Sequence, residues 1–420
     1  MLSFRGNLTP TSSKGVGRFV INKSCDLTGN CNSLLFGDDA KTNNSLSGKD
    51  YAFYELFYNC TTIRNVSSNF LPATTLVDRC YQYMFQRCTS LTTAPTLPAT
   101  TLAKSCYYFM FQGCTSLTTS PELPATTLVS YCYYHMFSGT NVLPDCSNIN
   151  FSSSTVVASG GLQGLFAGTK VTDSDLRNIL PINSNGKYYL PCTTLASNCY
   201  QSMFQNCTSL ATAPELPTKT LKSQCYQDMF NNCTSLTTAP ELPATTLAQS
   251  CYTQMFYGCK SLTTAPTLPA TTLANYCYSQ MFFNCTSLTT APTLPAKTLK
   301  ISCYRQMFYG CSSLTTAPEL PATTLTTSCY DGMFNSCSKL TTAPQLPATT
   351  LVDSCYNYMF YNCSKLNYIK AMFTTTPSTS YTNSWVSGVA SSGTFVKNKN
   401  ATWDVTGTYG IPSRWTVQTA

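Results

Sequence analysis

Cysteine thiols are the reactive side chains that stand out in this sequence of 420 residues, which contains 24 of them. Most fall in pairs eight residues apart, namely Cys80/Cys88, Cys106/Cys114, Cys199/Cys207, Cys225/Cys233, Cys251/Cys259, Cys277/Cys285, Cys303/Cys311, Cys329/Cys337 and Cys355/Cys363. On a helix, eight residues separate two Cα atoms by about 12 Å, beyond the limit of about 7 Å for a disulfide. Cysteine is also a small hydrophobic residue that suits crowded interiors. We therefore predict ladders of free, buried thiols.

The remaining cysteines do not suggest a metal site. Structural zinc sites commonly use two Cys-x-x-Cys pairs, and no repeated segment here has that spacing. Cys25 and Cys31 are the nearest candidates, but no second pair lies beside them in the sequence. A disulfide between Cys25 and Cys31 stays open as an alternative. We expect neither a metal nor a cofactor.

Groups for acid–base catalysis are scarce. His135 is the single histidine, which disfavours a His-based triad or a site with several His ligands. It lies between Tyr134 and Met136, one position away from the apolar set, and we expect it at the surface. Asp173 and Asp175 form an acidic cluster, but the order of Asp and Ser ahead of apolar residues predicts the beginning of a helix. The chain is therefore expected not to be an enzyme.

The charge pattern argues against a nucleic-acid or membrane partner. Charged residues make up 10% of the chain, compared with about 25% in typical soluble proteins. The net charge of +8 is spread without clusters of Lys and Arg, which nucleic-acid binding would need. No stretch approaches the roughly 18 apolar residues of a membrane span. The segment from Met1 to Thr9 does not have the pattern of an export signal.

A repeat of 26 residues organises the chain. Aligned on the pair Met-Phe, its phenylalanines are Phe85, Phe111, Phe137, Phe204, Phe230, Phe256, Phe282, Phe308, Phe334 and Phe360, with looser copies at Phe57 and Phe166. Between Cys251 and Cys259 the apolar residues lie at offsets 0, 4, 5 and 8, which predicts a short helix. The Thr-rich segment from Leu262 to Pro266 predicts a short strand.

One such unit cannot bury its own apolar side, so the units must stack. The predicted fold class is an α/β repeat. It is a leucine-rich-repeat solenoid of about twelve coils, with one short strand and one short helix per coil and a cap at each end. In the enlarged stretch 138–191 we expect Leu162, Leu165 and Phe166 to occupy core positions. The segments Asn141–Ser159 and Asn183–Tyr188 are then expected to form exposed loops.

The unit Cys-Tyr-x-x-Met-Phe-x-x-Cys-Thr-Ser-Leu-Thr-Thr-Ala-Pro-Glu-Leu-Pro-Ala-Thr-Thr-Leu resembles the BspA-like leucine-rich repeats of Bacteroidales bacteria and their phages. The resemblance implies an N-terminal cap (1–50), a solenoid (51–366) that includes the enlarged coils at 138–191, and a C-terminal cap (367–420). In larger relatives another module precedes the first cap, so an export signal or attachment module could belong upstream of Met1.

A few outward positions vary between repeats while the framework is nearly fixed. With the helical phase given above, Tyr257 points away from the core. Aromatic residues at this position are Tyr257, Phe283, Tyr309 and Tyr361, and amides at a neighbouring position are Gln254, Gln280 and Gln306. Aromatic rings supply contact area at low entropic cost, so these residues form a candidate ligand-binding row. The alternative is that the rings only cover neighbouring helices.

The sequence leaves two function classes open. The first is a binding or adhesion module that recognises a cell-surface glycan or protein, carried as a phage tail or virion protein or as a bacterial surface adhesin. The second is a structural component that decorates a virion or another large assembly and docks through its caps. Either role places the protein outside the cell, on a bacterial surface or a virion.

Overall fold

We describe the fold from a computed structural model, which describes residues 8–11, 15–141, 158–190, 192 and 194–420. The chain forms two compact units, which we call unit 1 (Met1–Thr208) and unit 2 (Ser209–Ala420). Each is described separately below. The first loop predicted in the enlarged stretch, apart from Asn141 and residues 158–159, lies outside the described residues, and so does Cys146.

Within each unit the repeats stack equivalent side chains on one another. In the coil of unit 2 that begins at Cys277, the buried residues are Cys277, Tyr278, Met281, Phe282, Cys285, Leu288, Leu294, Ala296 and Leu299. The rings of Phe256 and Phe282 are stacked with centroids 5.6 Å apart, and those of Tyr252 and Tyr278 are 5.8 Å apart. The predicted repeat solenoid with a ladder-like apolar core is confirmed.

The helix predicted for each coil is wrong. From Cys251 to Gly258 the chain forms consecutive turns. Alternate amides donate within the coil to the carbonyl three residues earlier, as Tyr257 does to Gln254 at 3.1 Å. The amides between them donate to the next coil, as Phe256 does to Met281 at 2.9 Å. An α-helix would bond every amide to the carbonyl four residues earlier, so these bonds between coils replace helical ones.

The backbone conformation also excludes a helix. Every fourth residue of the segment has a positive φ, with 53° at Ser250, 55° at Gln254 and 68° at Gly258. A positive φ at the third position is the feature of a type II turn and has no place in a right-handed helix. The apolar offsets 0, 4, 5 and 8 are satisfied equally by a turn that repeats every four residues, which explains why the pattern suggested a helix.

The Thr-rich side of the coil forms parallel contacts shorter than the predicted strand. Thr290 pairs as a single-residue parallel bridge with both Thr264 and Thr316. The amide of Thr289 and its hydroxyl both donate to the carbonyl of Thr263, at 3.1 and 3.2 Å. Such doubly bonded carbonyls recur at several steps, as at Thr237 and Ala211, and hold neighbouring coils in register without an extended strand.

Unit 1 begins with a short parallel pair, β1 (Cys25–Leu27) and β2 (Ile63–Val66). Helix α1 (Ser33–Phe36) lies between them, and 3₁₀ turns span Gly37–Lys41 and Ser68–Phe70. Helix α2 (Asp173–Ile179) begins at Thr172, whose hydroxyl accepts from the amide of Asp175 while the Asp175 carboxylate accepts from the amide of Thr172. The predicted helix start is therefore confirmed.

The enlarged stretch of unit 1 continues the same stacking. Leu162, Leu165 and Phe166 are fully buried, as predicted. The amide of Gly164 donates to the carbonyl of Gln201 at 2.9 Å, so the ladder passes over the inserted residues. Residues 184–187 of the second predicted loop are exposed, as predicted, but its last residue, Tyr188, is buried.

Unit 2 ends in a three-stranded parallel sheet of β3 (Tyr368–Ala371), β4 (Thr394–Lys397) and β5 (Thr416–Thr419). Helix α3 (Thr379–Thr382) connects β3 to β4. Trp385 is fully buried beneath the sheet residues and its Nε1 donates to the carbonyl of Gly410 at 2.9 Å. In the described part of the chain, every helix is too short or too polar to cross a bilayer.

Candidate ligand-binding site

The aromatic row of unit 2, defined as Tyr257, Phe283 and Tyr309, forms one continuous stack. The ring centroids of Tyr257 and Phe283 are 4.6 Å apart, those of Phe283 and Tyr309 are 4.3 Å apart, and both pairs are within 5° of parallel. All three side chains are partly exposed. The structure therefore brings together three of the four aromatic residues predicted to form the row.

The amide row, defined as Gln254, Gln280 and Gln306, runs beside the aromatic row. Nε2 of Gln254 donates to Oε1 of Gln280, and Nε2 of Gln280 donates to Oε1 of Gln306, both at 2.7 Å. Each coil therefore adds one hydrogen bond to a chain of side-chain amides. The two end groups, Oε1 of Gln254 and Nε2 of Gln306, make no hydrogen bond to the residues that the structure describes, so they are available to a ligand.

The turn backbone positions the two rows relative to each other. The amides of Tyr257, Phe283 and Tyr309 donate to the carbonyls of Gln254, Gln280 and Gln306, respectively, at 3.1 to 3.2 Å. Each glutamine has a positive φ, between 52° and 56°. This conformation turns both side chains outward, while Met and Phe between them point into the core.

Tyr361 does not join the stack. Asn335 occupies the equivalent position in the intervening coil and is only 6% exposed. Tyr361 instead makes an edge contact with Tyr358, with ring centroids 6.0 Å apart. We therefore exclude Tyr361 from the continuous row, although it lies on the same side of its own coil.

Stacking determines which atoms of the row a ligand can reach. Because the rings lie face to face, their inner faces are covered, and the ring edges and the tyrosine hydroxyls remain at the surface. Ring edges carry the positive side of the aromatic quadrupole. The row thus offers an apolar strip bordered by hydroxyl and amide groups, and it suits contact with a weakly charged surface.

A comparison with family models identifies the repeat. The model of the BspA type leucine rich repeat region matches residues 49–161, 190–289 and 277–390, in six copies. The chain belongs to this family. Membership indicates a module for binding or adhesion.

Comparison with solved structures gives a distant similarity. A crystal structure of a TLR13–ssRNA13 complex is similar over 78% of this BspA-type chain, with 12% identity and a TM-score of 0.28. The chain spans 42% of the length of that structure's chain. A search of curated proteins gives no match.

Acidic residues of the BspA-type coils lie close to the rows. Asp228 precedes Gln254 in the stack and accepts hydrogen bonds from Asn231 and Gln227. Burial raises the pKa of the Asp228 carboxyl. Burial also raises the pKa of Asp331, against the opposing effect of Arg305, whose Nε lies 3.4 Å from its Oδ2. Both carboxylates are engaged by neighbours and serve the scaffold.

The thiols of the repeats are packing groups. No cysteine that the structure describes forms a disulfide, Cys25 and Cys31 included, and all but Cys25 are buried. Burial raises the pKa of Cys277 and of Cys363 to about 12. Thiolates are the reactive form, so these side chains are inert at neutral pH. Among the described residues, no group of three or more His, Cys, Asp or Glu side chains could hold a metal.

His135, which we expected at the surface, is only partly exposed. Its ring stacks on Phe109 with centroids 5.2 Å apart and packs against Tyr134 at 4.6 Å. It also covers Gly164 of the next coil, where a Cβ atom would overlap the imidazole. Burial lowers the pKa of His135 to about 4. The imidazole is therefore neutral at physiological pH and packs as an aromatic ring.

His135 belongs to an aromatic cluster in unit 1 that was not predicted as a site. Its other members are Tyr54, Tyr83, Tyr108, Phe109 and Tyr134. They occupy the two variable positions between Cys-Tyr and Met-Phe, where aromatic residues recur in successive coils. That recurrence was a usable signal, since the corresponding positions of unit 2 hold mostly polar residues such as Thr253 and Gln254.

Proposed function

We propose that this protein is a non-enzymatic binding module that recognises a glycan or a protein on a cell surface. Its carrier is a phage virion, as a tail or host-recognition protein, or a bacterial cell surface, as an adhesin. The observation that supports this proposal is the partly exposed aromatic row, aligned over three coils and bordered by the amide row.

The separation of buried framework residues from variable outward residues within each coil supports a role in recognition. The framework residues Cys, Tyr, Met and Phe are buried, whereas the two outward positions vary from coil to coil. Substitution at an outward position changes the surface with little effect on the core. Solenoids use such extended surfaces for binding. A low charge density favours contacts through ring edges and amides over ion pairing.

The buried thiols are compatible with an extracellular location, which is typical of proteins with BspA-type repeats. Oxidation requires an accessible thiolate. With the exception of Cys25, the described cysteines are buried, and burial raises their pKa values wherever a shift is resolved. Reduced cysteines can therefore persist in oxidising surroundings.

The test is binding of the variant Tyr257→Ala, Phe283→Ala, Tyr309→Ala to glycan arrays and to a panel of bacterial and animal cells. We expect the variant to fold, because solvent-facing substitutions usually change stability by less than about 0.5 kcal/mol each. We expect its binding to fall at least tenfold relative to the unmodified protein.

The matched control changes the exposed threonines Thr238, Thr264 and Thr290 to Ala, which alters the Thr-rich side of two of these coils and of the coil before them. This control should bind as the unmodified protein does. Unchanged binding by the aromatic variant would overturn the assignment. Loss of binding in the threonine variant alone would place the site on the Thr-rich side.

A further inference from the structure

Unit 1 contains a recess of about 690 Å³ whose lining includes none of the residues of the aromatic row. Its volume is in the range of about 300 to 1,000 Å³ that is typical of small-ligand sites. Five of the lining residues are tyrosines, namely Tyr51, Tyr54, Tyr108, Tyr131 and Tyr134.

The tyrosines of the recess meet at angles. The planes of Tyr131 and Tyr134 are 63° apart, and those of Tyr51 and Tyr54 are 60° apart. Tyr108 and Tyr134 are parallel, with centroids 4.3 Å apart. An inclined pair covers at most one face of one ring, whereas the stack of Tyr257, Phe283 and Tyr309 covers the facing sides of every pair. The recess can therefore place a ring face against a flat ligand.

The phenol groups of the recess keep their protons at neutral pH. Burial raises the pKa of Tyr54 to about 12 and also raises the pKa values of Tyr108 and Tyr134. The hydroxyl of Tyr108 donates to that of Tyr134, and the hydroxyl of Tyr54 donates to the carboxylate of Glu55. These hydroxyls can exchange hydrogen bonds with a ligand without charging.

The charge of the recess is positive. Arg79 and Lys104 line it, and none of its lining residues is acidic. The guanidinium of Arg79 is held 5.2 Å above the ring of Tyr51 and donates a hydrogen bond to the Tyr51 hydroxyl. Since a guanidinium has five N–H donors, others remain for a ligand. Of the neighbouring acids, Asp78 accepts from the Lys104 amide at 3.1 Å and Glu55 is engaged by Tyr54.

Side-chain amides also line the recess. Gln82, Gln163 and Asn198 line the recess, and Nε2 of Gln163 donates to Oε1 of Gln201 at 2.9 Å. Nδ2 of Asn198 donates to the same oxygen at 2.7 Å. This network fixes Gln163 and Asn198 in place. Amides supply both donors and acceptors, which a ligand rich in hydroxyl groups requires.

We propose that this recess binds an acidic saccharide, that is, a chain of pyranose rings that carry carboxylates. Tyrosine faces contact the apolar faces of the sugar rings, amides and phenols bond the sugar hydroxyls, and Arg79 and Lys104 pair with the carboxylates. A nucleic-acid strand fits less well, because two neighbouring cations do not form the basic groove that tracks successive phosphates. This inference rests on the proposed binding function but concerns different residues.

The probes are tetragalacturonate and its methyl ester, which keeps the sugar rings and removes their charge. In titration calorimetry with the full chain, we expect the acid to bind at least tenfold more tightly than the ester. Binding of the acid should weaken as salt concentration rises, because salt screens the charge pairs. Equal affinity for the two forms, or no binding of the acid, would overturn the proposal.

Two variants separate the contributions of charge and ring. Lys104→Gln changes an exposed side chain and should weaken binding of the acid at least fivefold while leaving the ester unaffected. Tyr108→Thr introduces the residue that Thr253 supplies at the equivalent position of unit 2, and it should weaken binding of both forms. If neither variant changes the affinity for the acid, the recess is not the site.

The unit 2 variant Tyr257→Ala, Phe283→Ala, Tyr309→Ala should bind tetragalacturonate as the unmodified protein does. Suppose that this variant loses cell binding while tetragalacturonate fails to bind any form of the protein. That result would support the proposed cell-surface binding function and overturn the acidic-saccharide site. Tighter binding of a short single-stranded RNA than of tetragalacturonate, sensitive to Tyr108→Thr, would assign the recess to a nucleotide ligand instead.

Discussion

The thiol of Cys285 donates a hydrogen bond to the carbonyl oxygen of Phe256, one coil earlier, at a distance of 3.0 Å. The same carbonyl accepts the amide of Cys259 within its own coil. Equivalent thiol bonds link Cys259 to Phe230, Cys311 to Phe282, Cys337 to Phe308 and Cys363 to Phe334. The second cysteine of each pair therefore bonds adjacent coils in addition to filling the core.

The two cysteines of one coil should respond differently to serine. Cys277 donates no thiol hydrogen bond in the described structure, so Cys277→Ser buries a hydroxyl without an acceptor. We expect it to lower the free energy of unfolding by about 1 to 3 kcal/mol. Cys285→Ser keeps a donor near the Phe256 carbonyl, and we expect a cost below about 1 kcal/mol.

Urea unfolding followed by circular dichroism measures both costs, with the unmodified protein as reference. An equal loss for the two variants would show that the thiol bond to Phe256 contributes nothing. A larger loss for Cys285→Ser would show that serine cannot reach the carbonyl.

Thiol labelling should distinguish Cys25 from the other described cysteines. Cys25 is partly exposed, whereas the others are buried with pKa values raised by burial wherever a shift is resolved. We expect iodoacetamide to modify Cys25 at least tenfold faster than Cys277 or Cys285 in the folded protein. Peptide mass spectrometry reads out each site, and all 24 cysteines should react in denaturant. Disulfides among the paired cysteines would contradict the ladder of free thiols.

The core could be predicted from the sequence because the 26-residue period stacks the same residue types on one another in successive coils. Burial of Cys251, Met255 and Phe256 follows from that stacking alone. The turn backbone could not be predicted in the same way, because half of its amides donate hydrogen bonds to the next coil. The sequence of a single coil does not show which carbonyls accept these bonds. Gly258 and Gly310, with positive φ at equivalent positions, were the available sign of a non-helical segment.

The candidate sites were also only partly predictable from the sequence. The aromatic row was predictable because one outward offset carries rings in three successive coils. The recess was missed, although Arg79 and Asn198 both directly precede the first cysteine of their coils and Tyr108 lies two residues after Cys106. Residues at these two offsets differ in type from coil to coil, and only the stacked structure shows that they line one recess. Exclusion of Tyr361 from the row depends on Asn335, whose burial is a property of the packed structure.

Protonation of His135 should destabilise unit 1 at mildly acidic pH. Burial lowers its pKa from 6.5 to about 4 in the folded protein. Above pH 6.5 the residue is neutral in both states and has no effect on the pH dependence. As the pH falls from 6.5 to 4 the unfolded chain takes up a proton that the folded protein does not. The free energy of unfolding then falls, by at most about 1.4 kcal/mol per pH unit.

The control for this pH effect is His135→Phe, which matches Phe109 at the equivalent position of the preceding coil. Phe109 has a φ of 53° and His135 a φ of 47°, so phenylalanine suits the backbone there. Urea unfolding at pH 7.5, 6, 5 and 4 should show a steeper loss of stability for the unmodified protein than for the variant. Parallel curves would mean that His135 titrates normally. Asp228 and Asp331 titrate in both proteins, so their effect cancels in the difference.

Glycine at position 310 avoids two separable costs, although Asn284 and Ser336 occupy the equivalent positions of the neighbouring coils. Gly310 has a φ of 71°, where residues with a Cβ atom are strained, and a Cβ atom there would clash with Oδ1 of Asn284 in the preceding coil. Left-handed backbone costs roughly 1 to 2 kcal/mol for an ordinary residue. We expect Gly310→Ala to lower the free energy of unfolding by about 2 to 4 kcal/mol, the backbone cost plus that of the clash.

A double variant separates the clash from the backbone strain. Asn284→Gly removes the side chain that a Cβ atom at position 310 would meet, while the φ of 56° at position 284 suits glycine. Added to Gly310→Ala, it should restore about 1 to 2 kcal/mol, the part of the cost due to overpacking. Thermal unfolding of the two single variants and the double variant gives the coupling energy. If the two substitutions are additive, the contact between coils does not explain glycine at this position and the backbone conformation alone does.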